Sequence, residues 1–327
     1  MALGTNHVTL TEATAATRTR SNSAFIRELW TDEIIAAYKA NLVMPQLVVN
    51  MPFNGRKGDT FHVPNPTRGS ATSKSSETQV TLIANQESTK QYLIDQHYEY
   101  SRLIEDIVAI QADDSLRSFY TDDAGYALAK QVDTHLHAEG AKLAGASAAP
   151  TVAGSAYSKA VIGSDGSTVW DPSASTNEGN AAALADAGIR EIIRQLDDND
   201  VPNSGRVLVI PPVEKKSLTG IARFTEQAYV GEVGGGNTIR NGMIGNLYGV
   251  DIFVSTNCPV VEDSGTNSNE RAALMFQKEA FVFIEQLRPR VQTQYKQEWL
   301  GDLFTADTIY GKGVLRPEAG VAIIVPA

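Results

Sequence analysis

The feature that most constrains the fold is a long stretch, residues 50–98, with too few apolar residues to form a core of its own. Phe61 and Val63 alternate with polar neighbours, which predicts a strand. Two prolines, Pro64 and Pro66, interrupt the alternation, and residues 67–78 are a polar tip without a hydrophobic anchor. Residues 50–98 therefore cannot be stable alone and have to pack against another part of the structure.

The chain returns from this tip through further apolar residues. Val80, Leu82 and Ile83 predict a second strand. A last alternation places four residues on one predicted side: Tyr92, Ile94, Tyr98 and Tyr100. Because an isolated two-stranded ribbon is marginally stable in water, we expect something else to hold it, most simply a neighbouring copy of the protein.

The N-terminal residues 1–23 are rich in Thr, Ala, Ser and Asn. Alone they would be disordered, because they cannot bury enough apolar area to offset ordering entropy. An amphipathic helix is predicted next, on apolar residues three and four apart between Phe25 and Tyr38. No secretory signal or stretch of about 18 apolar residues is visible, so we expect a soluble product made inside the cell.

Residues 101–143 are the strongest helical stretch. From Asp113 onward, apolar residues recur every four positions: Leu116, Tyr120, Ala124, Leu128, Val132 and Leu136. Gly140 and Gly145 end the pattern, so a helix of about 40 Å is predicted over Asp113–Leu143.

The rest of the chain mixes short helices and strands. Helices are predicted at residues 183–196 and 213–224, and strands at 207–210, 250–254, 272–276, 281–284 and 321–325. Residues 144–181 are loop and weak strand, and 287–316 are extended. Because no regular strand–helix–strand rhythm appears, the predicted fold class is α+β.

Charge and cysteine content exclude some function classes. The formal net charge is −10, which counts against binding of a phosphate backbone by the bulk surface. The arginines are scattered rather than clustered with aromatic residues. Cys258 is the single cysteine, so it forms no intramolecular disulfide, and with no Cys/His motif around it we expect a small buried residue.

The motifs that suggest chemistry fail on spacing or context. The glycine-rich segment 233–242 lacks the Gly-Lys-Ser/Thr ending of a phosphate loop, so a surface or pore-lining loop is favoured. His135 and His137 lie about 200° apart around a helix and cannot share one metal ion, so solvated or half-buried histidines are expected. The paired acids 113/114, 122/123 and 197/198 fit helix ends and turns better than calcium or acid–base sites. No catalytic, cofactor-binding or metal-binding residue is predicted, and no cofactor.

The order of these segments resembles the major capsid proteins of tailed bacteriophages, with the Hong Kong 97-type fold. Four local patterns carry the resemblance: ALAKQVDTHLHAEGA around Asp133, VPNSGRVLVIPP from Val201, IGNLYGVDIFVSTN from Ile244, and YGKGVLRPEAGVA from Tyr310. It covers nearly the whole chain. It implies an N-terminal arm (1–49), an extended loop (50–98), a peripheral domain with a long spine helix (99–144 and 287–316) and an axial domain (145–286 and 317–327).

The resemblance implies a structural subunit that catalyses nothing and assembles into hexamers and pentamers of an icosahedral shell around double-stranded DNA. Intersubunit contacts are expected along the extended loop, at Phe61, Val63, Arg68, Lys74, Val80, Leu82, Tyr92 and Ile94. A loop at a ring axis is expected at Gly234, Gly235, Gly236 and Arg240. Further implied partners are a portal, a separate scaffolding protein and a cement protein, with weak contact to DNA and none to membrane. The implied location is the virion, after assembly in the host cytoplasm.

Two other hypotheses stay open from the sequence. An encapsulin-like compartment would keep the fold and enclose a cargo enzyme instead of DNA. An α+β hydrolase or phosphate-ligand enzyme would use the glycine-rich segment 233–242. Covalent Lys–Asn cross-linking, known among the relatives, is not expected: Lys57 and Lys74 lie in the extended loop, but no partner position can be matched.

Overall fold

A computed structural model describes residues 42–53, 58–66, 69, 71–80, 82, 87–107, 116–144, 157–172, 174, 179–221, 245–261 and 270–327. Mixed helices and sheets confirm the α+β class. The described helices are α1 (Met44–Leu47), α2 (Leu116–Glu139), α3 (Asp186–Asp198) and α4 (Pro212–Thr219).

Thirteen strands lie in the described part of the chain. Those that precede α3 are β1 (Val49–Pro52), β2 (Thr60–Pro66), β3 (Glu87–Leu93), β4 (Gln96–Glu105) and β5 (Val161–Ile162). Those that follow it are β6 (Arg206–Ile210), β7 (Asn246–Leu247), β8 (Val250–Val254), β9 (Val260–Val261), β10 (Glu270–Gln277), β11 (Phe281–Lys296), β12 (Gly301–Val314) and β13 (Gly320–Pro326).

The main core surrounds a seven-stranded sheet in the order β5-β13-β10-β6-β8-β7, with β9 paired to β10. β10 is antiparallel to β13 and β6, whereas β6 is parallel to β8. The central strands β6, β10 and β13 are buried almost throughout, because sequences such as RVLVI and GVAIIVP are apolar on both faces. α3 buries Ile189, Ile192 and Leu196 in the same core.

A second sheet has four strands in the order β1-β11-β12-β4. β11 and β12 form a long antiparallel hairpin, β4 pairs antiparallel with β12, and β1 pairs parallel with the start of β11. The long helix α2 lies against this sheet, where Ala124 and Leu128 pack on Phe304 and Ala306. This packing confirms the helix predicted from the four-residue spacing, over Leu116–Glu139.

The helical prediction was wrong at its start, because residues 101–105 belong to β4. Tyr98 and Tyr100 alternate with polar residues, and ten residues of β4 pair with β12, so a period of two applies there. At the other end, a short 3-10 turn at Gly140–Lys142 continues α2.

The predicted strand at Val80–Ile83 is absent at both of its described residues, Val80 and Leu82. The return strand of the ribbon is instead β3, which pairs antiparallel with β2 to form a separate two-stranded sheet. The four predicted alternating residues do not share one strand either: Tyr92 lies in β3, whereas Tyr98 and Tyr100 lie in β4. The chain passes from one sheet to the other in between.

The predicted strand at 281–284 extends much further, because β11 runs continuously from Phe281 to Lys296. The predicted domain boundary at 286/287 therefore falls inside one strand. The register of β11 against β12 shifts between Glu285 and Leu287 and again before Arg290, and the buried first part of β11 gives way to an exposed second part there. The division into four regions stays a prediction.

Several predicted features fall outside the described residues. They are the N-terminal residues 1–41 with their helix, Lys57, Arg68, the acids 113/114, and the ring-axis residues Gly234, Gly235, Gly236 and Arg240. Among the helices that are described, none is long and apolar enough to cross a membrane.

Candidate functional site

The root of the ribbon is held by the subunit's own sheet. Tyr92 and Ile94 are buried in a small cluster with Phe53, Val282 and Ile284. Phe61 and Val63 pack against this cluster from β2. Burial of these apolar side chains stabilises the ribbon where it leaves the four-stranded sheet.

Polar contacts fix the same root. Lys90 Nζ donates a hydrogen bond to the carbonyl oxygen of Leu315 over 2.6 Å, and the Tyr92 hydroxyl donates to that of Val314 over 3.1 Å. Both acceptors lie at or just after the end of β12. The ribbon therefore leaves the subunit in a direction set by the chain itself.

Two glycines of β12 make this close contact possible. A Cβ atom on Gly313 would lie 2.5 Å from the Tyr92 ring, and one on Gly311 would lie 2.8 Å from the carbonyl oxygen of Leu93. Real Cβ atoms do not approach other atoms so closely. The glycines of the YGKG pattern at Tyr310 therefore leave the room in which β3 packs closely on β12.

The predicted contact residues fall into two groups. Tyr92 and Ile94 are covered by the subunit itself, and Phe61 and Val63 are partly covered, so the root of the ribbon is held within the subunit and not by the neighbouring copy that was expected as the simplest support. Lys74, Val80 and Leu82 are exposed, with 66% of Val80 and 91% of Leu82 accessible. These three stay candidates for contact with a neighbour.

A buried carboxylate joins three parts of the chain. Asp133 of α2 is fully buried. Its Oδ1 accepts hydrogen bonds from the backbone N–H groups of Val43 (3.1 Å) and Met44 (2.9 Å). Its Oδ2 accepts one from the side-chain amide of Asn257, over 2.8 Å. Through these hydrogen bonds, Asp133 on the long helix α2 holds the start of α1 and the loop that follows β8.

His137 lies one helical turn from Asp133 and is also fully buried, so the expectation of a solvated or half-buried side chain was wrong for it. Its Nε2 is 3.5 Å from the carboxylate of Asp133. Desolvation lowers the pKa of His137 to about 4, although the negative charge of Asp133 opposes the shift. The imidazole is therefore neutral at pH 7.

His135 is half-buried, as expected. Its ring contacts the hydroxyl groups of Tyr98 and Tyr310, at 3.3 and 2.9 Å, between α2 and the four-stranded sheet. Burial, followed by the charge of Lys312, lowers the pKa of His135. Among the described residues no group of three His, Cys, Asp or Glu side chains is placed to hold a metal ion.

The described acidic pairs have structural partners. Asp123 accepts a hydrogen bond from the Tyr100 hydroxyl at 2.7 Å, and Asp197 forms an ion pair with the buried Arg206, also at 2.7 Å. Cys258 is buried, and desolvation raises the pKa of its thiol to about 12, so the reactive thiolate is not populated at neutral pH.

The far end of the β11–β12 hairpin also exposes large apolar residues. Trp299 and Leu300 lie in the turn and are each about two-thirds exposed, and Leu300 has a φ of 43°. A non-glycine residue in the left-handed region is strained, and exposed large apolar residues are often interaction sites. The sequence carries no clear signal for this turn, because the apolar pair lies within a polar, extended stretch.

The chain is similar to known proteins in both sequence and fold. The model of the family described as "Phage capsid protein" matches residues 104–323, more than half of the 327-residue chain. No curated protein matches the sequence significantly.

Solved capsid structures share the fold. A structure from Mycobacterium phage Che8 is similar with a TM-score of 0.68 and 23% identity, covering 91% of this chain and 97% of that one. The capsid structure of cyanophage P-SCSP1u matches with a TM-score of 0.69 and 17% identity, covering 93% and 94%. The capsid of cyanophage Pam1 matches with a TM-score of 0.69 and 11% identity, covering 97% and 98%.

Proposed function

The chain belongs to the phage capsid protein family, and on that basis we propose how its subunits associate. It is a structural subunit of a capsid, and its place is in the virion shell. The family match does not favour a cargo-enclosing compartment or a hydrolase. We infer that it is not an enzyme and that it forms the hexamers and pentamers of an icosahedral shell around double-stranded DNA.

The observation that carries the proposed mode of association is the exposure of Val80 and Leu82 on the ribbon. Large apolar side chains in this position favour a partner surface. The root is already buried within the subunit, so the neighbour has to offset the ordering entropy of the outer part of the ribbon alone. Modest contacts repeated around rings of five and six copies then give a stable closed shell.

Further partners belong to the same proposal. A glycine-rich loop at 233–242 near a ring axis would tolerate the different conformations of pentamers and hexamers. A portal and a separate scaffolding protein would take part in assembly, in the host cytoplasm, and a cement protein would decorate the shell. The net charge of −10 limits attraction to the packaged DNA.

Paired substitutions on the ribbon test this proposal. Val80→Asp combined with Leu82→Asp places charge where apolar contact is proposed. We expect at least a tenfold loss of closed particles by electron microscopy, with circular dichroism and thermal unfolding of the subunit unchanged, because both side chains are exposed. The matched control, Val80→Ile with Leu82→Met, keeps the apolar surface and is expected to assemble. Normal shells from the aspartate variant would contradict the proposal.

A further inference from the structure

The long helix α2 passes from one core of the subunit to another. In its first half, Ala124 and Leu128 pack against the four-stranded sheet. In its second half, Val132 and Leu136 belong to the main core around the seven-stranded sheet. The angle between α2 and the seven-stranded sheet therefore determines how the two sheets lie relative to each other.

Close packing fixes the end of this helix. Gly140 directly follows α2, and a Cβ atom on it would lie 2.4 Å from the side chain of Leu274, which is fully buried in β10. The helix end is therefore a pivot. Measured from Gly140 at about 1.5 Å per residue, Asp133 lies about 10 Å along the helix and Leu116 about 36 Å. A displacement of about 1 Å at Asp133 moves the start of the helix by roughly 3.5 Å.

A hydrogen bond joins α2 to the seven-stranded sheet at this position. The side-chain amide of Asn257 donates to Asp133 Oδ2 over 2.8 Å. Asn257 lies in the loop after β8, where the N–H of Ser255 donates to the carbonyl oxygen of Ile210 at the end of β6. The backbone N–H of Asn257 donates in turn to Ser255 Oγ over 3.1 Å. Asn257 is therefore anchored at the carboxyl ends of two neighbouring parallel strands.

The other carboxylate oxygen holds a segment that leads into the four-stranded sheet. Asp133 Oδ1 accepts hydrogen bonds from the N–H groups of Val43 and Met44, and Met44 is fully buried. Shortly after these residues, β1 pairs with β11 of the four-stranded sheet. One carboxylate thus links the long helix, the seven-stranded sheet and the segment that enters the other sheet.

The strands that also connect the two cores are less suited to fix the angle. β11 begins in the main core at Phe281 and continues into the four-stranded sheet. Its register against β12 shifts twice between Glu285 and Arg290. Irregularities of this kind bend and twist a strand pair. A side-chain contact such as the one between Asp133 and Asn257 is better placed to hold the two parts at one angle.

We propose that the hydrogen bond between Asp133 and Asn257 sets the angle between α2 and the seven-stranded sheet, and through it the curvature of the shell. Both are thus positioning residues for assembly, and this inference rests on the proposed function. A closed assembly of identical subunits needs a fixed rotation from one copy to the next. Loss of the bond leaves the subunit folded but lets this rotation vary, so shells of more than one size are expected.

Substitutions of Asn257 test the role of this bond. Asn257→Ala removes the donor and leaves Asp133 its two backbone donors, whereas Asn257→Asp places a second carboxylate against the first. For both variants we expect the spread of particle diameters in electron micrographs to widen at least threefold. The matched control is Asn246→Ala, which removes a bond of the same kind and length, from Asn246 Nδ2 to Asp251 Oδ1 at 2.8 Å, but within one sheet. Its particles are expected to keep the wild-type diameter.

Reversal of the pair separates a positioning role from a loss of stability. In Asp133→Asn combined with Asn257→Asp, the new amide accepts from Val43 and Met44 through its oxygen and donates to the new carboxylate through its nitrogen. The wild-type diameter is expected to return. Ile192→Val removes a methyl group from the fully buried core and lowers the melting temperature without touching the bond. This variant is expected to form particles of the wild-type diameter.

Each outcome decides the question. Wild-type diameters from both Asn257 variants would overturn the inference, as would equal widening in Ile192→Val or a reversed pair that stays as variable as Asn257→Asp. Loss of closed shells from a folded Asn257 variant, restored in the reversed pair, supports it. If Asn257→Asp does not fold, Asn257→Ala decides, and if neither folds, the bond is only structural and the inference is rejected. All of these results presuppose closed wild-type particles, and the absence of such particles overturns the proposed function as well.

Discussion

Single residues determine how the parts of the subunit are joined. Asp133 is buried with two backbone N–H groups and one amide as hydrogen-bond donors, so it holds α1 and the loop after β8 on the long helix. A buried carboxylate without such donors would destabilise the fold by several kcal/mol, whereas here its hydrogen bonds are satisfied. Asp133 was noticed in the sequence as part of a resemblance, but its partners are 89, 90 and 124 residues away.

The neighbouring His137 predicts a pH dependence of stability. Its pKa falls from an ordinary value of 6.5 to about 4 in the folded chain because of desolvation, so the unfolded chain binds a proton first as the pH drops. The stability from neutral His137 is fully present above pH 6.5 and is lost as the pH falls from 6.5 through about 4. A shift of this size corresponds to about 3 kcal/mol.

Chemical denaturation of the wild type and of His137→Gln between pH 7 and 4 measures this contribution. The free energy of unfolding is expected to fall more steeply for the wild type, because the variant has no titrating side chain there. If the free energy of unfolding falls equally with pH for the two proteins, His137 has the same pKa in the folded and the unfolded chain, which contradicts the prediction. At pH 7 circular dichroism of the variant serves as the folding control.

At the scale of elements, regular spacing predicted structure well where one face of an element is buried. The four-residue spacing gave α2, and the apolar runs gave β6, β8, β10 and β13, because packing on a core selects one face or both. Residues 101–105 were assigned wrongly, and so were Val80 and Leu82, the two described residues of the strand predicted at 80–83. Residues 101–105 adjoin a helical pattern, and only their register with β12 identifies them as a strand. At Val80 and Leu82 the part of the chain that the structure describes provides no strand partner.

The contact between α2 and the four-stranded sheet gives a prediction for one element. Leu128 is buried against Phe304 and Ala306, so Leu128→Asp places an unpaired charge in an apolar contact. We expect a loss of at least 4 kcal/mol, enough to prevent folding of a marginally stable chain. Lys130→Asp introduces the same side chain on the exposed part of the helix and is expected to change stability by less than about 0.5 kcal/mol. A Leu128→Asp variant with a wild-type circular dichroism spectrum and melting temperature would contradict the assignment.

At the scale of the whole molecule, folding and assembly are separable. The main core and the ribbon root lie within one subunit, whereas the exposed outer ribbon at Lys74, Val80 and Leu82 has no place in that core. A subunit can therefore fold before it meets its neighbours, and the ribbon projects from a root whose direction is already set.

Removal of the ribbon tip tests this separation. Deletion of residues 68–76 leaves Tyr92, Ile94 and their cluster in place, so we expect a folded subunit with an unchanged melting temperature. Closed shells are expected to be reduced at least tenfold in electron micrographs and in size-exclusion chromatography. The deletion variant forming normal particles would mean that the tip is dispensable for assembly.

The sequence by itself determined the α+β class, the long helix, the buried strands and the existence of a ribbon with a polar tip, because these depend on local spacing and composition. It also predicted that neighbouring copies hold the ribbon, and this stays a prediction for the exposed outer part at Val80 and Leu82. Tertiary structure alone decided that Tyr92 and Ile94 hold the ribbon from within the subunit, and that Gly311 and Gly313 leave the room in which β3 packs on β12. Each of these contacts joins residues that are distant in the sequence and meet only when the sheets form. Spacing along the chain therefore could not predict them.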